Sequence, residues 1–81
     1  MNKKEILSDA LGYRKQELLN YEINIENYKR AIEKSKSDPD LQDFRDNLEQ
    51  ILKTEIIEKK KSQVMHDIIS EQLEELNVHQ N

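Results

Sequence analysis

The spacing of apolar residues in the first half of the chain predicts one long amphipathic helix. Apolar side chains recur there at alternating steps of four and three residues, and only Arg14 interrupts the series. Such a heptad repeat places an apolar seam along one side of a helix. The seam residues are Leu7, Leu11, Leu18, Tyr21, Ile25, Tyr28 and Ile32. We expect a helix over residues 2–36; Gly12, the only glycine, either breaks it or lies within it, and a continuous helix is favoured.

The second half of the chain carries a less regular apolar pattern. A seam at Leu41, Phe44, Leu48 and Ile51 meets polar Glu55, Glu58 and Ser62, and recovers at Met65, Ile69 and Leu76. Neighbouring apolar residues widen or rotate this face, namely Leu52, Ile56, Ile57, Val64, Ile68 and Leu73. The pattern predicts a helix over residues 39–76 whose repeat stutters across residues 55–63. Residues 77–81 are expected to form a frayed tail.

The tetrad at residues 37–40 separates the two helical stretches. It holds the only proline of the chain, Pro39, which suits the first turn of a helix, and Asp38 before it is a favourable N-cap. These residues predict an all-α fold, a long antiparallel hairpin with its turn at 37–40. Two helices share only one thin seam, so we also expect two hairpins to pair into a four-helix bundle or a coiled-coil-like dimer.

Composition restricts the classes of protein to which the chain belongs. Its 81 residues suffice for one domain, here residues 1–76, and 37% of them are charged against the ~25% usual for globular domains. No apolar run approaches the ~20 residues that span a bilayer, and the first residues lack the apolar core of a signal peptide. There is no cysteine. A cytoplasmic location without membrane association is therefore expected.

The sequence offers no pattern typical of an active site. One glycine excludes a glycine-rich phosphate loop, and residue 63 is Gln where a di-metal helical site would place Glu three residues before His66. We therefore expect no catalytic residues, no metal and no cofactor, and classify the protein as not an enzyme.

Apolar residues off the two seams point instead to binding of other proteins. Tyr13, Leu19, Ile23 and Ile57 lie away from the stripes, and Tyr21 is a seam aromatic of the kind that dominates interfaces. The leading hypothesis is a non-enzymatic interaction module, an adaptor or inhibitor of a larger protein. Small, charged, helical accessory proteins of phages and mobile elements are comparable. Self-association as a homodimer is the expected alternative use of the same surfaces.

Two further functions remain open from the sequence. A nucleic-acid-associated regulator would use the basic run Lys59, Lys60 and Lys61, although the net charge of −4 makes this less favoured. A purely structural, self-associating coiled-coil rod would have no partner other than itself.

Overall fold

The computed structural model describes the backbone of residues 2–79 and the side chains of residues 2–78. Helix α1 spans Lys3–Ser35, a 3-10 turn spans Pro39–Leu41, and helix α2 spans Gln42–His79. The two helices pack antiparallel into a rod of 62 × 17 × 16 Å, which confirms the predicted hairpin. Helix α1 runs unbroken through Gly12, as favoured from the sequence.

Helix α2 is longer than its sequence pattern predicts. It continues past residue 76 through Asn77 and Val78 to His79, so the first part of the predicted tail is helical. Residues 80 and 81, the rest of that tail, lie outside the described residues. With no proline or glycine after residue 40, nothing in the sequence interrupts the hydrogen-bond series of α2 before this point.

The turn between the helices uses the predicted capping residues. The Asp38 side chain accepts a hydrogen bond of 2.9 Å from the backbone N–H of Asp40, and Pro39 occupies the first turn position. A 3-10 turn then leads into α2, which therefore begins at Gln42 rather than at Pro39. Pro39 lacks a backbone N–H, and its fixed φ suits this start.

Arg45 ties the beginning of α2 to the end of α1. Its guanidinium donates hydrogen bonds to the backbone carbonyl oxygens of Ser35 and Asp38, the latter at 2.8 Å, and to the side chain of Gln42 at 2.9 Å. The Ser35 and Asp38 carbonyl oxygens also accept backbone N–H groups, from Asp38 and Leu41, each at 3.1 Å. Arg45 therefore adds a second donor to both and joins the start of α2 to the turn.

The seam of α1 agrees with the sequence. All seven predicted seam residues are half-buried against α2, and Arg14 and Ser35 complete the heptad repeat at its expected positions. Ser35 is one of two almost fully buried polar residues in the described part of the chain, and its hydroxyl donates to the carbonyl oxygens of Ala31 and Ile32.

The seam of α2 differs from the predicted one. Leu41, Phe44, Ile51 and Met65, which the sequence assigned to the seam, are exposed. The residues that face α1 follow an uninterrupted heptad repeat from 45 to 76, so the stutter predicted at 55–63 is wrong. They are Arg45, Leu48, Leu52, Glu55, Lys59, Ser62, His66, Ile69, Leu73 and Leu76.

Polar contacts explain why α2 keeps this register. The Ser62 hydroxyl donates to Glu17 Oε1 at 2.5 Å, and Lys59 Nζ lies 3.6 Å from Glu22 Oε1. These cross-helix contacts hold polar side chains at positions where an apolar residue is usual, so the helix need not rotate to remove them from the seam.

The resulting core is small. Among the described residues only two apolar side chains, Leu48 and Ile69, are buried, each with 8% of its surface exposed. Twelve large apolar side chains are exposed on the same part of the chain. The hairpin alone therefore leaves many of its large apolar side chains partly in water.

Candidate protein-interaction surface

The contacts between the helices define two long sides of the hairpin. Glu17 meets Ser62, Glu22 meets Lys59 and Ser35 meets Arg45, so residues whose numbers add to about 80 lie level with each other. Glu17 and Ser62 touch on one side of the seam. Glu22 and Lys59 touch on the other side. Because side chains seven residues apart return to the same side of a helix, these contacts assign whole rows of residues to each side.

The side marked by Glu17 and Ser62 carries six of the twelve exposed large apolar residues in the described part of the chain. We call it the lateral face. Its apolar members come from both helices and are Ile6, Ala10, Tyr13, Ala31, Phe44, Ile51, Met65 and Ile68. Six of the eight are large and between 40% and 65% exposed. A cluster of exposed apolar side chains on one side marks an interaction site more often than a surface that stays in water.

The opposite side is charged. The rows that flank the seam there supply Lys15, Glu22, Lys29, Asp46, Glu49, Lys53, Lys60, Asp67 and Glu74. Acidic and basic residues are both present, as is usual for a helix surface that remains solvated. The hairpin therefore has one apolar and one charged long side.

A polar cleft of about 280 Å³ interrupts the lateral face near its middle. Its walls are Tyr13, Gln16, Glu17, Asn20, Tyr21, Asn24 and Glu55. Within the part of the chain that the structure describes, Glu55 Oε2 is the one buried side-chain oxygen or nitrogen without a hydrogen-bond partner. A buried carboxylate oxygen without a hydrogen-bond partner costs free energy unless another group donates a hydrogen bond to it.

Glu17, which also lines this cleft, accepts hydrogen bonds from the Ser62 hydroxyl and the Arg14 guanidinium. The hydrogen bond from the Ser62 hydroxyl lowers the pKa of Glu17 below its ordinary value, and the Arg14 guanidinium at 2.9 Å lowers it further. Desolvation raises the pKa of Tyr21, and the nearby carboxylates of Glu17, Glu58 and Glu55 add to the rise. The cleft is thus lined by two carboxylates, of which Glu17 is already paired with Arg14.

The predicted partner-binding residues do not form one surface. Tyr13 lies on the lateral face and is 65% exposed, whereas Tyr21 is half-buried in the seam at the edge of the cleft. Leu19 and Ile23 form a separate apolar ridge on the outer side of α1. Ile57 lies on the outer side of α2, away from all of them.

The three consecutive lysines do not form a basic patch. Lys59 lies in the seam next to Glu22, and Lys61 Nζ lies 3.0 Å from Glu58 Oε1 on the lateral side. Lys60 belongs to the charged side. Since two of the three positive charges are paired with carboxylates, the run offers little to a phosphate backbone.

Neither a metal site nor a membrane span is found in the described residues. His66 is half-buried in the seam, and its Nδ1 lies 3.1 Å from Asp67 Oδ1, an interaction that lowers the pKa of Asp67. No group of three or more potential metal-ligating side chains occurs among residues 2–78. Over the same part of the chain, no helix combines the length and the apolar character needed to cross a bilayer.

Sequence reasoning missed the lateral face because it placed Phe44, Ile51 and Met65 in the seam of α2. The overlooked signal was Leu52 and Leu73, which fall on the same heptad row as Lys59 and His66 and are half-buried. That row and the row of Phe44 flank a shared row of buried residues that includes Leu48 and Ile69. Helix α2 thus carries two adjacent seams, of which α1 covers only one.

Comparison with known proteins gives no relative on which to base a function. No protein-family model, no curated protein and no solved structure matches this chain.

Proposed function

We propose that the protein is a non-enzymatic protein–protein interaction module, an adaptor or inhibitor that binds a larger protein. The observation that carries this proposal is the excess of exposed over buried apolar side chains, twelve large ones against two among the described residues. Binding of other proteins uses such surface, whereas catalysis needs a concave site with positioned reactive groups.

The outer ridge of α1 is the part of this surface that we assign to the larger partner. Leu19 and Ile23 are 49% and 50% exposed and lie one helical turn apart. Two neighbouring aliphatic side chains on a helix provide the anchors that a groove on another protein accepts. The ridge points away from both α2 and the lateral face, so it remains accessible whatever covers the other sides.

Site-specific photo-crosslinking in the cells that produce the protein tests this assignment. A photoreactive phenylalanine analogue at position 19 should form a covalent adduct with one larger protein. The matched control is the same analogue at Glu26, one heptad further along the same exposed row of α1. We expect the adduct at position 19 and not at position 26.

A second substitution makes the result specific to the ridge. Ile23→Asp places a charge beside position 19 without touching the seam, so it should abolish the adduct while leaving the far-ultraviolet circular dichroism spectrum unchanged. Equal adducts at positions 19 and 26, or an adduct that survives Ile23→Asp, would contradict the assignment. Absence of any heterologous adduct would instead favour a structural rod whose only partner is itself.

A further inference from the structure

The hairpin exposes more surface than a compact monomer of its mass. A compact protein of 9.7 kDa exposes roughly 5,100 Å². This chain exposes 6191 Å², which is roughly 1,000 Å² more. One partner in a stable protein–protein complex buries ~800 Å², so the excess is sufficient for a complete interface. The lateral face, along a rod 62 Å long, is the one apolar side on which such an interface fits.

Two pairs of apolar residues on the lateral face lie at equal distances from its middle. Glu58 lies level with Glu22 at the centre, and Ile51 and Met65 each lie seven residues from Glu58, in opposite directions. In a two-fold interface, a residue on one side of the axis contacts the residue of the second copy that lies at the same distance on the other side. An axis at the level of Glu58, perpendicular to the rod, therefore places Ile51 of one hairpin against Met65 of a second copy.

The same axis matches residues by size. On α1, Tyr13 and Ala31 each lie nine residues from Glu22, on opposite sides of the centre. Tyr13 is the most exposed large apolar residue of the lateral face, and Ala31 is among its smallest. The axis thus places a large aromatic ring over a small side chain, which is how packed layers avoid both voids and clashes.

The same axis brings Glu58 level with Glu58 of the second copy. Within each hairpin Lys61 Nζ lies 3.0 Å from Glu58 Oε1, so each carboxylate at the centre of the interface already has a cation beside it that reduces the repulsion between the two.

From these matches we propose that the lateral face binds a second copy of this chain. The product is an antiparallel four-helix bundle in which α2 packs across α2 of the second copy, and the two turns lie at opposite ends. Ile51 then contacts Met65 of the second copy. The inference concerns a different surface from the outer ridge, and either one can fail without the other.

Light scattering of charged variants tests the dimer. The wild-type chain should have twice the monomer mass of 9.7 kDa. Ile51→Lys with Met65→Lys adds two charges to the lateral face and should give a monomer. The matched control, Ile57→Lys with Val64→Lys, adds the same charge at positions that are 53% and 57% exposed on the outer side of α2, and should remain a dimer.

Cross-linking tests the arrangement even if the charged variant unfolds. The chain has no cysteine, so chains with Ile51→Cys and chains with Met65→Cys each carry one thiol. A short bismaleimide added to an equimolar mixture should join position 51 of one chain to position 65 of the other. The control mixture uses Glu49→Cys and Gln63→Cys, which have the same separation along the charged side.

Each result bears directly on the proposal. A wild-type monomer at every concentration, or a dimer that persists in the lateral-face variant and dissociates in the outer-face variant, would overturn it. A dimer whose 51–65 cross-link forms no faster than the control cross-link would overturn the antiparallel arrangement. A monomer that still gives the adduct at position 19 would refute the dimer and leave the proposed function standing.

Discussion

Polar residues in the middle of the seam affect both the stability of this hairpin and the register of its two helices. Arg14, Glu55 and Ser62 occupy seam positions where a coiled coil usually places leucine or isoleucine, and Glu17 lies on the row beside them. Polar groups in a seam reduce stability, yet they restrict which positions of the two helices fit together. The Ser62–Glu17 hydrogen bond therefore favours one register of α2 on α1 over shifted ones.

Glu17 should make the hairpin sensitive to acid. Because the pKa of Glu17 is lower in the folded chain than its ordinary value of 4.5, its stabilising contribution is present above that value. The contribution is lost as the pH falls through the lowered pKa. We expect the melting temperature of the wild type to drop over this range, and the drop to be smaller in Glu17→Gln. Circular dichroism melts over an acidic pH series measure both.

The control for this prediction is Glu33→Gln, on the exposed surface of α1. It should reproduce the wild-type acid dependence. An identical pH profile for Glu17→Gln and the wild type would show that the Glu17–Ser62 hydrogen bond does not contribute to stability.

Gly12 offers a stabilising substitution. It is exposed in the interior of α1, and a Cβ built on it would have no heavy atom within 4 Å. Since its backbone is helical, Gly12→Ala should raise the free energy of unfolding by about 1 kcal/mol. Urea denaturation measures the change. A destabilised Gly12→Ala variant would mean that another chain packs closely against this position.

At the scale of the elements, the turn is held by a side chain that sequence patterns do not identify. Arg45 donates hydrogen bonds to two backbone carbonyl oxygens near the end of α1, ten and seven residues before it. No local motif signals this role, because the contact exists only after the chain has reversed direction. Asp38 and Pro39, by contrast, act within the turn and were recognisable from the sequence.

Replacing Arg45 should destabilise the hairpin at its closed end. Arg45→Met keeps the length of the side chain but leaves the carbonyl groups of Ser35 and Asp38 without this donor. Hydrogen bonds to charged groups contribute about 1.5–3 kcal/mol, so we expect a loss of about that size in the free energy of unfolding. Chemical denaturation followed by circular dichroism measures it.

Arg30→Met is the matched control. Arg30 pairs only with Glu26, one turn away on the exposed surface, and such pairs contribute about 0.3–0.5 kcal/mol. Equal losses for Arg45→Met and Arg30→Met would contradict the role assigned to Arg45.

The two helices differ in how well the pattern of apolar residues predicts which side of the helix is buried. Helix α1 has a single heptad stripe, interrupted once at Arg14, so both its extent and its buried side were predictable. Helix α2 has two stripes that share the row of Leu48 and Ile69, and the sequence does not state which one α1 covers. The choice depends on contacts between the helices, such as Lys59 with Glu22, which only the folded hairpin reveals.

At the scale of the whole molecule, the hairpin resembles half of a bundle. Its own seam buries two apolar side chains among the described residues, and a second stripe of similar length remains in water on one long side. Adding a second copy to that side would cover the stripe. It would leave the charged sides and the two Leu19–Ile23 ridges outward, so that a dimer would present two equivalent ridges to larger partners.

Small-angle X-ray scattering of the wild-type protein tests this side-by-side pairing most directly, because it reports mass and length together. We predict twice the monomer mass of 9.7 kDa at a maximum dimension close to the 62 Å of one hairpin, apart from its hydration layer. A monomer mass at all concentrations, or a doubled mass with a length approaching two rods end to end, would contradict pairing through the lateral face.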